Sequence, residues 1–408
     1  MVLRVETGRY GRVVRDGVNF PVTHLNSFTV GLRLLSLVWA VLIAPLAIVL
    51  LVVATTLEGR GFAIAAILGG MAPFVAVSAW ESSKRKRGVL AIAMMIGCSV
   101  LAAWIMSQAP RGTAAVGAKV QHLSLGKGAR FRPFALGNLL PEIDQLMLGF
   151  VVMPFVDPLL TTAQSVQLRK LAAAIYREME KDPDFHALGS VMPLAYDDLL
   201  GGGEETGHAY IYIPPDLDRS KPAPTLVFLH GSGGNFKAYL WLISRIANEL
   251  GMVVIAPSFG MGNWRQPASV GCYNAAIAAA ADIVRIDPEN IHIMGLSNGG
   301  LAVSQLARTK ELRFRSLVFL SPVFELDRFH SLSFREGCRG RSFLVITGQD
   351  DDRVPFEYVA QAAKEMRSAG AQVTFEPVDG ADHFLFFSKQ ELVARKLVTW
   401  LKANGVPK

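Results

Sequence analysis

Three long apolar runs without a charged residue lie near the start of the chain, at 34–57, 62–80 and 88–107. A helix rises about 1.5 Å per residue, so each run is long enough to cross a hydrocarbon core of about 30 Å. The pattern therefore predicts a multi-pass membrane region with three transmembrane helices over 1–110.

Two of these runs have an alternative interpretation. The first could be a cleaved signal peptide, but 33 residues precede it and it is longer than the apolar part of such a signal. The second could be a buried or re-entrant hairpin, because Gly69, Gly70 and Pro73 interrupt it. Closely packed membrane helices tolerate such residues, so a span remains our prediction.

A connector follows over 111–204. Its stretch 143–160 is strongly apolar but contains prolines, and its apolar run is too short to span a membrane. Lying at the membrane surface and packing on the following domain are both compatible with this pattern, and the sequence does not decide between them. Apolar residues at helical spacing after Thr161 predict one amphipathic helix over 161–180.

Short apolar runs alternate with helical ones from about residue 208. The predicted strands are 208–213, 225–230, 252–256, 291–295, 316–320, 342–347 and 372–377, and the predicted helices are 236–250, 274–286, 298–308, 356–369 and 388–403. Continuous apolar strands separated by helices indicate a mostly parallel sheet covered on both faces. We therefore predict an α/β domain over 205–408, with its chemistry at the carboxyl ends of the strands.

The chain is 51% hydrophobic, and its formal net charge of +7 is concentrated in the membrane region. Residues 1–110 hold 10 Lys and Arg and 4 Asp and Glu, a net of +6, which leaves +1 for the rest. This distribution gives no indication of nucleic-acid binding. Basic residues before the first run and the KRKR stretch at 84–87 place both segments in the cytoplasm by the positive-inside rule. The domain at 205–408 is then expected to be extracytoplasmic, and losing one span would invert this topology.

A Gly-x-Ser-x-Gly pattern directly follows the predicted strand 291–295 and precedes a predicted helix. A strand, tight turn and helix hold the hydroxyl of Ser297 at the edge of the sheet, and the small flanking residues suit a crowded turn. Ser297 is therefore the candidate nucleophile.

A serine nucleophile needs a base, an acid that orients the base, and donors for the developing oxyanion. His383 is the histidine that follows the last predicted strand by a short loop. Three carboxylates at 350–352 follow the strand before it, and most of them are expected only to be solvated or to cap a helix. The backbone N–H groups of Ser232, in the loop HGSGGN, and of Asn298 are the candidate oxyanion donors.

With these loops in place, residues 205–403 resemble the α/β-hydrolase superfamily. The run DPENIHIMGLSNGG is similar to the nucleophile region of feruloyl esterase and polyhydroxybutyrate depolymerase-like esterases, with dienelactone hydrolases and prolyl oligopeptidase-type hydrolases as neighbours. In that superfamily the acid is the fourth residue of a G-x-x-D-x-x-V-P pattern, which implies Asp351 here. The resemblance implies a Ser297, Asp351 and His383 triad and no metal or organic cofactor. A three-span anchor departs from the secreted or cytosolic esterases of this group.

The remaining predictions concern the pocket and the cysteines. Three aromatic residues after strands, Phe259, Trp264 and Phe324, are expected to line the pocket for the acyl or alcohol group. Only about 20 residues separate the strands 316–320 and 342–347, so a small lid and an open site are expected. Cys272 and Cys338 could pair in an oxidising compartment or remain separate thiols, and the sequence leaves both open.

Three functions are compatible with this pattern. The favoured one is a membrane-anchored serine hydrolase that acts on a small-molecule or lipid-borne carboxylic ester. A peptidase of the prolyl oligopeptidase type is the enzymatic alternative, although such enzymes usually carry a large gating domain. A membrane-tethered, non-catalytic binding protein is the third, because a fold alone does not determine function.

Overall fold

The computed structural model describes residues 12–15, 18–21, 27–110, 117–125, 134–200, 207–264, 268–309, 312 and 314–405. The chain divides into two compact units, the first formed by Met1–Val52 with Arg60–Ala102 and the second by Val53–Gly59 with Ala103–Lys408. The strands are β1 (Arg12–Arg15), β2 (Val18–Pro21), β3 (Val120–Ser124), β4 (His208–Tyr212), β5 (Ala223–Leu229), β6 (Val253–Ser258), β7 (Ile286–Leu296), β8 (Ser316–Leu320), β9 (Ser342–Gly348) and β10 (Gln372–Val378).

Helices lie between and after these strands, in several places two or more in succession. They are α1 (Ser27–Val38), α2 (Ala44–Val53), α3 (Leu57–Glu81), α4 (Arg85–Gln108), α5 (Glu142–Val156), α6 (Thr162–Met179), α7 (Pro183–Ala187), α8 (Met192–Leu199), α9 (Lys237–Leu250), α10 (Ala268–Ala281), α11 (Gly299–Ala307), α12 (Leu326–Phe329), α13 (Leu332–Cys338), α14 (Phe356–Ser368), α15 (Leu385–Ser388) and α16 (Gln390–Ala403). A π-helical turn at Trp39–Ile43 joins α1 to α2, and a 3₁₀ turn occupies Leu136–Asn138.

The first unit contains most of the length of the apolar helices. In the part of the chain that the structure describes, Thr29–Val53, Leu57–Trp80 and Arg85–Gln108 are long and apolar enough to cross a membrane. The glycines in the second of these allow close helix packing. A Cβ on Gly70 would lie 1.8 Å from the Trp39 ring, and one on Gly69 would lie 3.1 Å from the Cys98 side chain.

The second unit is built on an eight-stranded sheet with the order β10-β9-β8-β7-β5-β6-β4-β3. Six neighbouring strands, from β10 to β6, are parallel, while β4 and β3 are antiparallel additions at one edge. The strand order reverses at β5 and β7, because β6 lies on one side of β5 and β7 on the other. A crevice forms outside the carboxyl ends of strands at such a reversal, so this is where a ligand is expected.

The seven predicted strands are all present, whereas β1, β2 and β3 were not predicted. Four of the five helices predicted in this domain agree within two residues with the helices observed. The helix predicted at 274–286 instead spans Ala268–Ala281, because Ile286 already pairs with Ala223 in the sheet and ends the helix early. The predicted amphipathic helix is α6, and Thr161 caps it through a reciprocal capping box with Gln164.

Both faces of the sheet are buried, which explains why its strands are continuously apolar. Phe228 and Met294 point into one core, while Val227 and Ile293 point into the other. The first core also contains Ile143, Met147 and a set of residues from α6, so α5 and α6 pack on the sheet as part of this unit. The sequence was compatible with placing the apolar stretch 143–160 either at the membrane surface or against the following domain. The stretch is largely α5, a helix of the second unit.

Candidate active site

Ser297 lies in a strained turn between β7 and α11. Its φ of 51° is in the left-handed region, which non-glycine residues rarely adopt. The turn is held by backbone hydrogen bonds, since the Ser297 N–H donates to Leu320 O and its own carbonyl accepts from Gly300 and Val323, each at 2.9 Å. Such local strain persists only when the surrounding structure enforces it, and it is frequent at functional sites.

The two glycines of the Gly-x-Ser-x-Gly pattern are required by close backbone approaches. A Cβ on Gly295 would lie 2.5 Å from the carbonyl carbon of Gly299. A Cβ on Gly299 would lie 2.1 Å from the carbonyl oxygen of Leu229, at the end of β5. The motif therefore allows α11 to begin directly against the sheet while the Ser297 side chain stays partly exposed.

His383 lies between Ser297 and Asp351. The Ser297 hydroxyl donates to His383 Nε2 at 3.0 Å, and His383 Nδ1–H donates to Asp351 Oδ2 at 2.9 Å. Of the three neighbouring carboxylates, Asp350 and Asp352 are exposed, whereas the Asp351 side chain is fully buried. The structure thus brings together the three residues that the sequence analysis selected, at the carboxyl ends of β7, β9 and β10.

The other carboxylate oxygen of Asp351, Oδ1, accepts hydrogen bonds from the backbone. Asp351 Oδ1 accepts from the N–H groups of Arg353 at 3.0 Å and Val354 at 2.8 Å. These bonds fix the carboxylate so that Oδ2 faces the imidazole. The arrangement holds His383 with its proton on Nδ1 and leaves Nε2 free to accept the Ser297 proton.

The candidate oxyanion donors lie side by side. Asn298 Nδ2 donates to Ser232 Oγ at 2.6 Å, which joins the turn after β7 to the loop after β5. Among the described residues, the backbone N–H groups of Ser232 and Asn298 have no backbone acceptor. Gly233 and Gly234 have φ values of +96° and +119°, which let this loop turn sharply behind Ser232.

His230 supports the loop that carries Ser232, a role that the sequence analysis missed. Its Nδ1–H donates to Gly231 O at 2.8 Å, and its Nε2 accepts the Phe259 N–H at 2.9 Å. Burial lowers the pKa of His230 to about 4, so the ring is neutral at pH 7. The sequence feature that could have indicated this role is the position of His230 directly after β5 and immediately before the glycine-rich loop.

The other histidines in the described part of the chain have partners elsewhere. His122 and His208 bond to each other on β3 and β4, and burial lowers the pKa of both rings. His292 lies inside the sheet, where it contacts Ser316 Oγ at 2.6 Å. His24 lies outside the described residues.

A cavity of about 470 Å³ opens at Ser297 and His383. Its wall comes mainly from α5, α6 and α8 on one side and from the loops after β5 and β10 on the other. Apolar side chains in this wall include Leu146, Phe150, Met153, Leu168, Met192 and Phe387. The segment between β8 and β9, which was expected to form a small lid, contributes no residue to the cavity wall.

The three aromatic residues expected to line the pocket are not in the cavity wall. Trp264 and Phe324 are 2% and 5% exposed and belong to the core on the opposite face of the sheet. Phe259 stacks on Trp264 with ring centroids 5.0 Å apart. Trp264 Nε1–H donates to His230 O at 2.8 Å, so these rings support the loop after β5 from behind.

Arg353 connects the loop that carries Asp351 to the end of α5. Its guanidinium pairs with Asp157 at 2.7 Å and lies over the Phe384 ring, 5.6 Å from the centroid. Gln164 Nε2 also donates to Asp382 Oδ2 at 3.0 Å. These contacts hold α5 and α6 against the loops that carry Asp351 and His383. No local sequence motif predicts them.

The cysteines remain separate thiols. Cys272 and Cys338 are both buried and unpaired, and Cys98 is also free. Burial raises the pKa of Cys272 and of Cys338 to about 12, which keeps both thiols protonated at neutral pH.

Comparisons with known proteins agree with this architecture. Residues 226–337 match the Alpha/beta hydrolase family. A dipeptidyl-peptidase 5 of Porphyromonas gingivalis is 26% identical over 134 residues, which cover 29% of this chain and 19% of that protein. A pimeloyl-[acyl-carrier protein] methyl ester esterase of Aeromonas salmonicida is 32% identical over 111 residues, which cover 26% of this chain and 42% of the esterase. The chain thus spans less than half the length of these curated relatives.

Solved structures of esterases are similar to about half of the chain. Esterase 2 of Thermogutta terrifontis has 20% identity and a TM-score of 0.40 over 49% of this chain and 91% of its own. Est1E of Butyrivibrio proteoclasticus has 16% identity and a TM-score of 0.40 over 49% and 95%. The family match and the sheet topology together establish an α/β-hydrolase fold, preceded by three long apolar helices.

Proposed function

We propose that this chain, which has the α/β-hydrolase fold, is a membrane-anchored serine hydrolase that cleaves carboxylic esters. The observation that carries the proposal is the continuous hydrogen-bonded relay from Ser297 through His383 to the buried Asp351. A serine hydroxyl is a weak nucleophile by itself, and a base in hydrogen-bond contact activates it.

The geometry supports an acyl-enzyme mechanism. Ser297 Oγ attacks the ester carbonyl while His383 Nε2 takes its proton, and Asp351 stabilises the imidazolium that forms. The N–H groups of Ser232 and Asn298 donate to the oxyanion of the tetrahedral intermediate. His383 then protonates the departing alcohol, and a water molecule activated by the same ring hydrolyses the acyl-serine.

The membrane part of the proposal rests on the apolar helices. Their exposed faces carry large apolar side chains, among them Leu42, Val52 and Leu90, each at least 60% exposed. Exposed apolar surface of this extent is costly in water and favourable in lipid. We infer that the three helices span the membrane, with the KRKR stretch at 84–87 in the cytoplasm and the domain at 205–408 on the other side. The ester is then a small molecule or a lipid.

Hydrolysis assays on the purified full-length chain and its Ser297→Ala variant test the reaction class. We expect p-nitrophenyl esters to be cleaved by the wild-type chain and not by the variant. Dipeptide p-nitroanilides test the peptidase alternative, which the partial similarity to a dipeptidyl-peptidase raises. Cleavage of the anilides with no ester hydrolysis would replace our proposal by the peptidase. Ester hydrolysis that persists in the variant would refute the role of Ser297.

A further inference from the structure

The polar groups in the cavity wall are already used within the protein. Gln145 Nε2 donates to the carbonyls of Gly137 and Leu140, both at 2.7 Å, and Gln145 Oε1 accepts from Tyr196 at 2.7 Å. The Tyr176 hydroxyl donates to Glu142, which is buried. The hydrogen-bond donors of these side chains are therefore already engaged within the protein.

The charged group in the wall is also paired. Arg353 Nη2 pairs with Asp157 at 2.7 Å, and the side chain is only 26% exposed. Its Nε is buried and has no hydrogen-bond partner among the described residues. Apart from the reacting groups around Ser297, the described wall thus presents mainly apolar side chains from α5, α6 and α15. Burying an unpaired polar group there would cost free energy, whereas burying methylene groups is favourable.

We propose that this cavity holds the aliphatic chain of the ester, so that the substrate is an ester with a long apolar chain. The inference rests on the proposed function and adds a substrate class to it. Its volume of about 470 Å³ is within the range of sites that enclose drug-sized ligands, and far more than an acetyl group fills. The chain belongs to either the acyl or the alcohol part of the ester, and the two are separable by experiment.

The first test is a chain-length series on the full-length chain in lipid nanodiscs, because alkyl detergents would compete for the cavity. One arm compares p-nitrophenyl acetate, butyrate, octanoate and palmitate, and the other compares ethyl, butyl and octyl acetate. Each methylene that enters the cavity is expected to raise kcat/KM about fourfold until the cavity is full. A rise in one arm identifies the part of the ester that enters, and flat profiles in both arms overturn the inference.

The second test fills the cavity from its wall. Gly149 on α5 lines the cavity, and a Cβ built there meets no atom within 4 Å. Gly149→Leu therefore adds bulk without a clash at Cβ, and leucine favours the helix over glycine. We expect the ratio of kcat/KM for octanoate to that for acetate, or for octyl to ethyl acetate, to fall at least tenfold.

Gly271→Leu is the matched control. Gly271 is an exposed helical glycine on α10 that also meets no atom within 4 Å, and it is not in the cavity wall. Its variant should keep the wild-type ratio. An unchanged ratio in Gly149→Leu would overturn the inference, as would an equal fall in both variants.

Labelling with a fluorophosphonate probe distinguishes failure of the substrate inference from failure of the proposed function. Labelling of Ser297 together with flat chain-length profiles overturns the aliphatic-chain inference and leaves the serine hydrolase proposal intact. No labelling and no hydrolysis of any ester would overturn the proposed function, and the substrate inference with it.

Discussion

Replacing Asp351 by Asn tests whether this carboxylate orients His383. Asp351 accepts two backbone N–H groups through Oδ1, at 3.0 and 2.8 Å, and His383 Nδ1–H through Oδ2, at 2.9 Å. An Asn has one oxygen, and the two backbone donors will hold it in the Oδ1 position. Its NH₂ group then faces Nδ1 and favours the tautomer with the proton on Nε2, which cannot accept the proton of Ser297.

The size of the effect follows from losing the correct tautomer. The equivalent change in a serine protease triad lowers kcat by about 10⁴, so we expect Asp351→Asn to lower kcat by about 10³ to 10⁴. This loss corresponds to about 4 to 5.5 kcal/mol in the activation free energy. The backbone hydrogen bonds survive the change, so the melting temperature should fall by only a few degrees.

The neighbouring carboxylates provide the controls. Asp350 and Asp352 are exposed, and their Asn variants should keep kcat within about twofold of the wild type. The assay is the steady-state hydrolysis of a p-nitrophenyl ester by all three variants at equal concentration of folded protein. An Asp351→Asn variant with more than a tenth of the wild-type kcat would refute the assignment, as would a large loss in Asp350→Asn or Asp352→Asn.

Three further predictions concern stability and topology. Gly299→Ala should destabilise the fold by about 3 kcal/mol or more, because its Cβ meets a strand carbonyl. Gly271→Ala, on an open helix face, should instead raise the melting temperature. Equal effects of the two substitutions on the melting temperature would refute the packing argument. The pKa of His230 is about 4 in the folded chain and about 6.5 in the unfolded chain, so the stability that the neutral ring contributes is present above pH 6.5 and is lost as pH falls towards 4, by up to about 3 kcal/mol. In chemical denaturation, the free energy of unfolding of His230→Gln should therefore depend less steeply on pH than that of the wild type. An equal pH dependence in the two proteins would contradict this. Glu289→Cys should react with an impermeant maleimide from the extracytoplasmic side, and Lys86→Cys only from the cytoplasmic side. The unsubstituted chain is the control for reaction of the native cysteines. The reverse pattern of labelling would invert the topology.

The reacting residues could be located from the sequence because each follows a strand of a parallel sheet. Ser297 is marked by its glycines, whose close backbone contacts explain why no larger residue stands there. His383 and Asp351 follow the last two strands, and a sheet brings such positions to one edge. The choice among the three carboxylates needed a family pattern, because local sequence does not reveal that only one of them is buried.

The cavity wall could not be predicted in the same way. The apolar residues of α5 are equally compatible with a membrane surface and with a protein core, since hydrophobicity does not specify the partner. Phe259 and Phe324 follow strands, but their rings turn to the face of the sheet opposite to the cavity. Contacts over long sequence separation decide both outcomes, such as the pair of Arg353 with Asp157.

The proposed function requires Ser297 to be an activated nucleophile. Intact-mass spectrometry of the full-length chain after reaction with a fluorophosphonate, followed by peptide mapping, measures this directly. We expect one adduct per chain, located on Ser297, and no adduct in Ser297→Ala under the same conditions. An unmodified wild-type chain, or an adduct on another residue that persists in the variant, would contradict it.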